Sequence, residues 1–382
     1  MSEFKRIKAA LIGCGTISDI YLKNLTERFY IVEMVGCADL DRNKACEKAK
    51  KYGLRAMTVE EILEDEEIRI VINTTWPLSH YEITKSALQA GKCVYTEKML
   101  APEFEKGKEL VDLAREKGLL FAAAPDTFLG GGWQSARNML DNGWIGKPVV
   151  LNAACIRSYQ DYGSVCCEPK SFVYGYGSGI PFDMGGYYLH AMINLLGPVR
   201  RVSGFAQTRE SSRPYLNPRH PKFGQTFTVD SPNSMCASLE FENGTLANLL
   251  ITSEAFSFEK PLFELYGEEG GMLLFDPNDF SGEIRIKRNT MTEYAMLSSL
   301  FPYNDDSRGL GVADMAYALA QNRKPRTDAE IGLHALEAMH GVCLSAQTGQ
   351  VYRMTTRPER PLALPMMHAD GDAYENCLRE RS

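Results

Sequence analysis

The sequence predicts two units: a doubly wound α/β domain with a parallel sheet, then an α+β domain with a large, mostly antiparallel sheet. Three observations carry this. Up to Pro125, short apolar runs alternate with helix-like stretches, the order that lays strands side by side in parallel. From Val199 onward, apolar runs follow one another with only turns between them. Asn243-Gly244, set between two such runs, is a strong hairpin signal, and hairpins join antiparallel strands.

With 382 residues the chain has room for two domains of ordinary size. Its 44% apolar and 24% charged content predicts a packed protein rather than a disordered one. A net charge of −7 argues against a nucleic-acid partner, because a phosphate backbone recruits basic surface. No segment approaches the uninterrupted apolar length of a membrane helix, so no membrane partner is expected. The opening Met1-Ser2-Glu3-Phe4-Lys5-Arg6 is charged and lacks an apolar signal core, which makes the cytoplasm the expected location. The ten cysteines are scattered, and Cys14, Cys37, Cys93, Cys155 and Cys236 sit inside apolar runs, as buried reduced thiols do. No Cys-x-x-Cys pair occurs and no metal site is expected. Cys166-Cys167 lies among loop residues and reads as a loop pair.

The first apolar run, Ile7, Ala9, Ala10, Leu11 and Ile12, feeds into Gly13-Cys14-Gly15-Thr16-Ile17-Ser18. A helix-like stretch follows, then a second run, Ile31, Val32, Met34 and Val35, that ends at Cys37-Ala38-Asp39. Strand, glycine turn, helix, strand and acid are the parts of a dinucleotide-binding unit. Gly13 permits the tight turn, and Gly15 lets the backbone approach a pyrophosphate. The helix after Thr16 and Ile17 aims its free N–H groups at the negative charge. An acid about 20 residues past the turn accepts hydrogen bonds from a ribose diol. The third glycine position holds Ser18, also small. Asp39 would repel a 2′-phosphate, so NAD is expected and NADP disfavoured. Arg42 stands between acids and reads as a solvated helix-start charge.

Residues 42–52 read as a polar helix closed by Gly53. Thr58 and Glu61 form a capping box for a short helix. Residues 68–73 make an apolar strand buried on both faces, broken by Trp76-Pro77. A helix over 79–90 ends at Gly91, and Cys93-Val94-Tyr95 is the next strand, with Thr96-Glu97-Lys98 at its carboxyl end. A helix over 102–117 ends at Gly118, and 119–124 is one more strand. Ligands of parallel sheets bind outside the carboxyl ends of the strands, and Gly13, Asp39, residues 73–77, Glu97, Lys98 and Asp126 fall at that edge. Beyond Pro125 the reading is a helix over 133–142, a strand over 149–156, a Gly-, Tyr- and Ser-rich loop over 159–178 and a helix over 182–196. Strand-like runs then cover 202–207, 226–229, 235–241, 245–252, 262–266 and 272–275, and helices 312–321 and 329–346 follow. The expected boundaries are 1–125, 126–358 and a loosely held proline-rich and charged tail, 359–382.

Three groups carry further chemistry. Lys98 at a strand end near a nicotinamide can hydrogen-bond a substrate hydroxyl and stabilise alkoxide character, although strand-end lysines are commonly surface charge. Asp183, Tyr187 and His190 fall at i, i+4 and i+7, so one helix face presents a carboxylate, a phenol and an imidazole suited to proton transfer. A polar stripe or a satisfied core histidine is the plainer account. Arg157 with Tyr159, Tyr162, Tyr174 and Tyr176 would suit sugar rings by stacking and hydrogen bonding. An exposed connector or subunit contact fits equally.

The chain resembles the glucose–fructose oxidoreductase / inositol dehydrogenase (Gfo/Idh/MocA) family over about residues 7–344. The marks are the glycine turn, Asp39, Asn73-Thr74-Thr75-Trp76-Pro77 with His80, the run Gly91-Lys92-Cys93-Val94-Tyr95-Thr96-Glu97-Lys98, and Asp183-Met184-Gly185-Gly186-Tyr187. The resemblance implies a Rossmann domain followed by a domain with an open antiparallel sheet, and a homo-oligomer packed through that sheet. It implies an NAD(P)-dependent oxidoreductase acting on a ring hydroxyl of a sugar, glycoside or cyclitol, including oxidation of C3 of a glucoside. Cofactor-binding positions carried over are Gly13, Gly15, Thr16, Ile17, Asp39, Thr74, Thr75, Trp76, His80, Glu97 and Lys98. Substrate-binding positions are Lys98, Asp126, Arg157, Tyr159, Asp183, Tyr187 and His190.

Two departures matter. Met99 replaces the proline of the family's Glu-Lys-Pro, and Tyr187 stands where a histidine usually follows the acid. The proton acceptor is therefore Tyr187 or His190, with His190 preferred because its ordinary pKa lies near neutrality. Lys98 would polarise the hydroxyl and Asp183 would hold substrate or tune the base. The alternatives are an enzyme that uses tightly held NAD in a transient redox cycle, or a non-catalytic NAD-binding sensor.

Overall fold

The structure is a computed structural model, and it describes residues 5–157, 174–175, 177–255 and 262–365. The first apolar runs form β1 (Ile7–Ile12), β2 (Val32–Ala38), β3 (Arg55–Ala56), β4 (Ile70–Asn73), β5 (Cys93–Thr96) and β6 (Phe121–Ala123). All pair in parallel, in the order β3-β2-β1-β4-β5-β6. The order reverses between β1 and β4, the place where sheets of this kind bind ligands, outside the strands' carboxyl ends. Helices α1 (Ser18–Glu27), α2 (Arg42–Tyr52), α3 (Val59–Glu64), α4 (His80–Gln89) and α5 (Phe104–Glu116) connect the strands. Their ends have local causes. Asp41 accepts the Asn43 N–H at the start of α2, and Gly53 closes it in the left-handed region. Thr58 and Glu61 make both arms of the capping box, at 3.1 and 2.8 Å.

The second half begins with α6 (Gly131–Asp141), β7 (Pro148–Ile156) and α7 (Ile180–Leu196). There follow β8 (Val199–Gln207), a small pair β9 (Ser212–Pro214) and β10 (Thr226–Thr228), then β11 (Ser234–Phe241), β12 (Leu246–Thr252), β13 (Leu262–Gly267), β14 (Gly270–Leu273), β15 (Ile284–Arg288) and β16 (Ala295–Leu297). With β17 (Tyr352–Arg353) the large sheet runs β16-β15-β14-β13-β7-β12-β11-β8-β17. Every neighbouring pair is antiparallel except β7 and β12. Asn243-Gly244 turns β11 into β12 as expected.

One face of this sheet is covered by α7 and by α9 (Ala329–Thr348), which also pack on each other. Helix α7 is apolar nearly all round because it is buried on all sides. Among the described residues nothing covers the opposite face. Phe205 there is 79% exposed, and the cross-strand row Phe205, Cys236, Leu250 and Ala154 runs over it.

Two expectations about domain limits need correction. Helix α8 (Leu310–Gln321), expected in the second unit, packs on β2, β5 and β6. Leu310, Val312, Met315 and Tyr317 share a core with Leu11, Ile72 and Tyr95. A parallel sheet has two apolar faces to cover, and the returning chain supplies part of the second cover. Residues 359–365 fall within the expected loose tail, 359–382. Instead the Leu364 N–H reaches Gln134 at 2.8 Å, and the Pro361 and Ala363 carbonyls accept from Arg137 and Arg326. Buried donors on α6 and before α9 need acceptors, and this segment provides them. Residues 366–382 lie outside the described residues, as do Tyr159, Tyr162, Tyr176 and Cys166-Cys167. Among the described residues no helix is long and apolar enough to cross a membrane, and no three His, Cys, Asp or Glu side chains converge as a metal site.

Candidate active site

The glycine turn shows why two of its positions have no side chain. Gly13 has φ +105°, and a Cβ there would lie 2.6 Å from the backbone of Thr74 and Thr75. Gly15 is the opposite case: a Cβ there would meet nothing within 4 Å, so its backbone faces open space. Ser18 is buried and donates its hydroxyl to the Gly15 carbonyl at 2.6 Å, which stiffens the turn into α1. Asp39 lies across from the turn, accepting the Cys14 N–H at 2.7 Å and the Asp41 N–H at 2.8 Å. Thr16 and Ile17 are exposed at the start of α1, and Trp76 is 52% exposed at the end of β4. Open space over a helix N-terminus, flanked by a carboxylate, fits a dinucleotide.

Thr74 and His80, expected to touch cofactor, are buried and occupied within the protein. The Thr74 hydroxyl donates to the Gly13 carbonyl at 2.7 Å. The His80 ring lies between the Thr75 carbonyl, at 3.0 Å, and the Met99 carbonyl, at 2.7 Å. It therefore ties the loop after β4 to the loop after β5. Thr75 is half-buried and hydrogen-bonds the Asn73 side chain at 2.7 Å.

The loop after β5 carries the reacting groups. Glu97 accepts the Tyr21 hydroxyl at 2.7 Å and the Lys98 N–H at 3.0 Å, which fixes the peptide that presents Lys98. The Lys98 Nζ makes an ion pair with the Asp183 carboxylate and reaches the Asp183 carbonyl at 3.3 Å. It also sits 5.2 Å from the centre of the Tyr187 ring. Burial alone would lower the Lys98 pKa, but Asp183, Tyr187 and Glu97 outweigh it and hold the ammonium above its ordinary range. Burial pushes the Tyr187 phenol up, while Lys98 and Arg308 pull it back. Arg308, just before α8, is the second positive charge that acts on the Tyr187 phenol. It was not among the residues picked from the sequence. Its only local mark is a position ahead of Gly309-Leu310-Gly311, and nothing local says that it faces α7.

The structure does not bring His190 into this cluster. Seven residues, about 10 Å of helix, separate it from Asp183, although Tyr187 is only one turn away. The His190 Nδ1 donates to the Gly186 carbonyl at 2.7 Å, and the ring lies beside Phe128. Burial lowers its pKa to about 4, which leaves it neutral and a weak proton acceptor. Asp126, expected to bind substrate, is 1% exposed and accepts the N–H groups of Gly309 and Gly311, at 3.0 and 2.9 Å. A carboxylate at a buried helix start meets otherwise orphaned donors, and that is its place here. Arg157 pairs with Asp276 at 2.9 Å, and Asp279 lies under the influence of both Arg157 and Arg308. Tyr174 is buried against Phe227 and Arg213 rather than free to stack on a ligand.

Residues 7–124 match the family described as "Oxidoreductase family, NAD-binding Rossmann fold", and residues 133–273 match "GFO/IDH/MocA C-terminal domain". The chain belongs to the Gfo/Idh/MocA family. Its first unit is accordingly an NAD-binding Rossmann domain. Among Gfo/Idh/MocA relatives, an uncharacterized oxidoreductase of Schizosaccharomyces pombe is 27% identical over 217 residues, covering 54% of this chain and 57% of that one. An inositol 2-dehydrogenase/D-chiro-inositol 3-dehydrogenase of Lactiplantibacillus plantarum is 28% identical over 162 residues, covering 40% and 45%. The chain spans little more than half the length of the curated relatives it matches. An NAD binding oxidoreductase from Klebsiella pneumoniae superposes with TM-score 0.79 at 21% identity, covering 92% of this chain and 99% of that one. A levoglucosan dehydrogenase in complex with NADH gives 0.79 at 18%, covering 92% and 100%. These likenesses show the Gfo/Idh/MocA fold.

Proposed function

We propose that this chain is an NAD-dependent dehydrogenase that oxidises a ring hydroxyl of a sugar, glycoside or cyclitol. The observation that carries the reading is the Lys98–Asp183–Tyr187 cluster, set at the carboxyl edge of the parallel sheet beside the dinucleotide cradle. Gly13, Gly15, Thr16, Ile17, Asp39, Thr75, Trp76 and the Glu97–Lys98 loop would hold NAD. When bound, NAD supplies the acceptor for the hydride that leaves the carbinol carbon.

The protein's task is the hydroxyl proton and the charge it leaves behind. The Lys98 ammonium, kept protonated by Asp183, donates a hydrogen bond to the substrate oxygen and stabilises alkoxide character. A cation so held costs no reorganisation when the charge develops. Tyr187 takes the proton, or returns it in the reducing direction. Its phenol lies in the cluster, and its placement is the reason to assign it this role over His190. A phenol raised by burial gives up its proton late, so oxidation should gain speed toward alkaline pH.

Within this class, oxidation at C3 of a glucoside is one outcome and inositol or aldose oxidation another; the similarity to inositol and levoglucosan dehydrogenases supports a ring-polyol substrate. The open apolar face with Phe205 supports a homo-oligomer joined through the large sheet. The test of the main reading is absorbance of reduced nicotinamide while the protein meets NAD and a panel of inositols, aldoses and aryl glucosides. Reduction with one substrate group supports the reading. NAD binding without reduction across the panel overturns it in favour of a transient redox cycle or a sensor.

A further inference from the structure

The loop that follows β14 crosses from the large sheet to the carboxyl edge of the parallel one. The Thr127 hydroxyl, just past β6, donates to the Pro277 carbonyl at 2.7 Å. The Trp133 indole N–H donates to the Asp279 carbonyl at 3.0 Å, and the Gly132 N–H to the Phe280 carbonyl at 3.2 Å. Residues 276–280 are therefore fixed to the segment that leaves β6, at the edge where the glycine turn and Lys98 also lie.

Seated there, the loop takes hold of two arginines. Asp276 accepts from the Arg157 guanidinium at 2.9 Å on one oxygen and from the Asn278 N–H at 3.0 Å on the other. The Asn278 side-chain oxygen accepts from Arg308 at 2.9 Å, and Arg308 also pairs with Asp306 at 2.6 Å. Arg308 comes from the turn before α8, whose Gly309 and Gly311 N–H groups end on Asp126. Arg157 comes from the end of β7. The Tyr188 hydroxyl donates to the Ala154 carbonyl of that strand at 3.2 Å, so α7 meets β7 one residue on from Tyr187. Three cations are thus gathered, and each has a carboxylate partner: Lys98 with Asp183, Arg157 with Asp276 and Arg308 with Asp306. Asp279 and Glu97 add two further carboxylates. Among the described residues, the region holds more negative than positive charge.

We propose that Asp276 is a specificity-determining residue: by neutralising Arg157 it fits the site to an uncharged ring polyol and turns away sugar acids and sugar phosphates. The substrate class so named rests on the dehydrogenase reading. An anionic sugar is held where a cation is left over to meet it. Asp276 offsets the charge of Arg157 but occupies only part of its donor fork. The arginine side chain is 34% exposed, and its remaining N–H groups are suited to hydroxyl oxygens. Asp279, exposed and within the field of Arg157, accepts hydroxyl hydrogens and repels a second carboxylate. Donors and acceptors side by side, with no surplus of positive charge, suit the vicinal hydroxyls of a sugar or cyclitol.

The test is calorimetric binding of myo-inositol, glucose, glucuronate and glucose 6-phosphate to the full chain loaded with NADH, which cannot accept a hydride. The parent should favour the better neutral probe over both anions by about tenfold or more. Asp276→Asn keeps the shape of the side chain and removes its charge. Glucuronate should then bind about tenfold more tightly than to the parent, with NADH affinity unchanged, and adding Arg157→Gln should cancel the gain. Asp276→Ala gives the same comparison if the amide disturbs the loop. Equal affinity of the parent for glucuronate and the better neutral probe overturns the proposal. So does a folded Asp276 variant that gains no affinity for either anion, whether or not the parent binds one. A gain that survives Arg157→Gln also overturns it, since the freed charge would not be that of Arg157. Failure of every polyol to reduce NAD would overturn the dehydrogenase reading, while the anion gain, which needs no turnover, is decided separately.

Discussion

The Asp39 carboxylate accepts the backbone N–H of Cys14 at 2.7 Å, so the acid that ends β2 is tied directly to the glycine turn. Its second oxygen holds the Asp41 N–H, which directs the carboxylate along the mouth of the crevice. A fixed negative charge beside the turn selects against a 2′-phosphate. Asp39→Ala should weaken NAD binding about tenfold, or about 1.4 kcal/mol, and raise the NADP to NAD affinity ratio by at least as much. Titration calorimetry with both cofactors reads this, and an unchanged ratio would remove Asp39 as the selector.

Gly13 combines a positive φ with a backbone neighbour at 2.6 Å. Gly13→Ala should cost about 1–3 kcal/mol in thermal unfolding and abolish NAD binding, because strain and a backbone clash act together. Gly15→Ala meets open space instead, so it should spare stability and weaken NAD binding alone. Equal losses of stability in the two variants would contradict this account.

Lys98→Met removes the ammonium and keeps the bulk of the side chain. Turnover should fall by about 10² to 10³, the usual loss for one donor to a developing oxyanion, while the NAD dissociation constant stays within about threefold. Near-parent kcat with tight NAD binding would disprove the role of Lys98.

His190 is buried with a pKa lowered from 6.5 to about 4. A histidine held neutral in the fold contributes stability that is present above its ordinary value and lost as pH falls from 6.5 toward 4. His190→Gln should flatten urea-derived stability over that window by up to about 1.4 kcal/mol per pH unit. Asp126, raised to about 6 by burial, acts in the opposite sense between 6 and 3.8, so the variant must be read against its parent. Parallel curves would mean that His190 is charged in the fold.

Phe205 stands 79% exposed on the uncovered face of the large sheet. If copies of the chain join through that face, Phe205→Glu should lower the mass seen by light scattering while leaving NAD binding intact. A monomeric parent, or an unchanged mass in the variant, would end the proposal.

The glycine turn, Asp39, the Thr58–Glu61 cap and the Asn243-Gly244 hairpin were all legible because each depends on neighbours within a few residues. The meeting of Lys98 with Asp183 was approachable only through likeness to a family, since 85 positions separate them. Helical spacing puts Asp183, Tyr187 and His190 along one face, but periodicity gives direction around an axis and not the partner each side chain meets.

From the chain alone follow the parallel sheet, the antiparallel one, the nucleotide cradle and its preference for NAD, because alternation, turn chemistry and one acid at a strand end are local properties. Tertiary structure decided which polar residues are free to act. It buried Asp126 and His190 against backbone partners, returned α8 to cover the first sheet, and joined Lys98 to Asp183. Whether a carboxylate or an imidazole is a reagent or a brace depends on what packs over it, and those neighbours come from distant parts of the sequence.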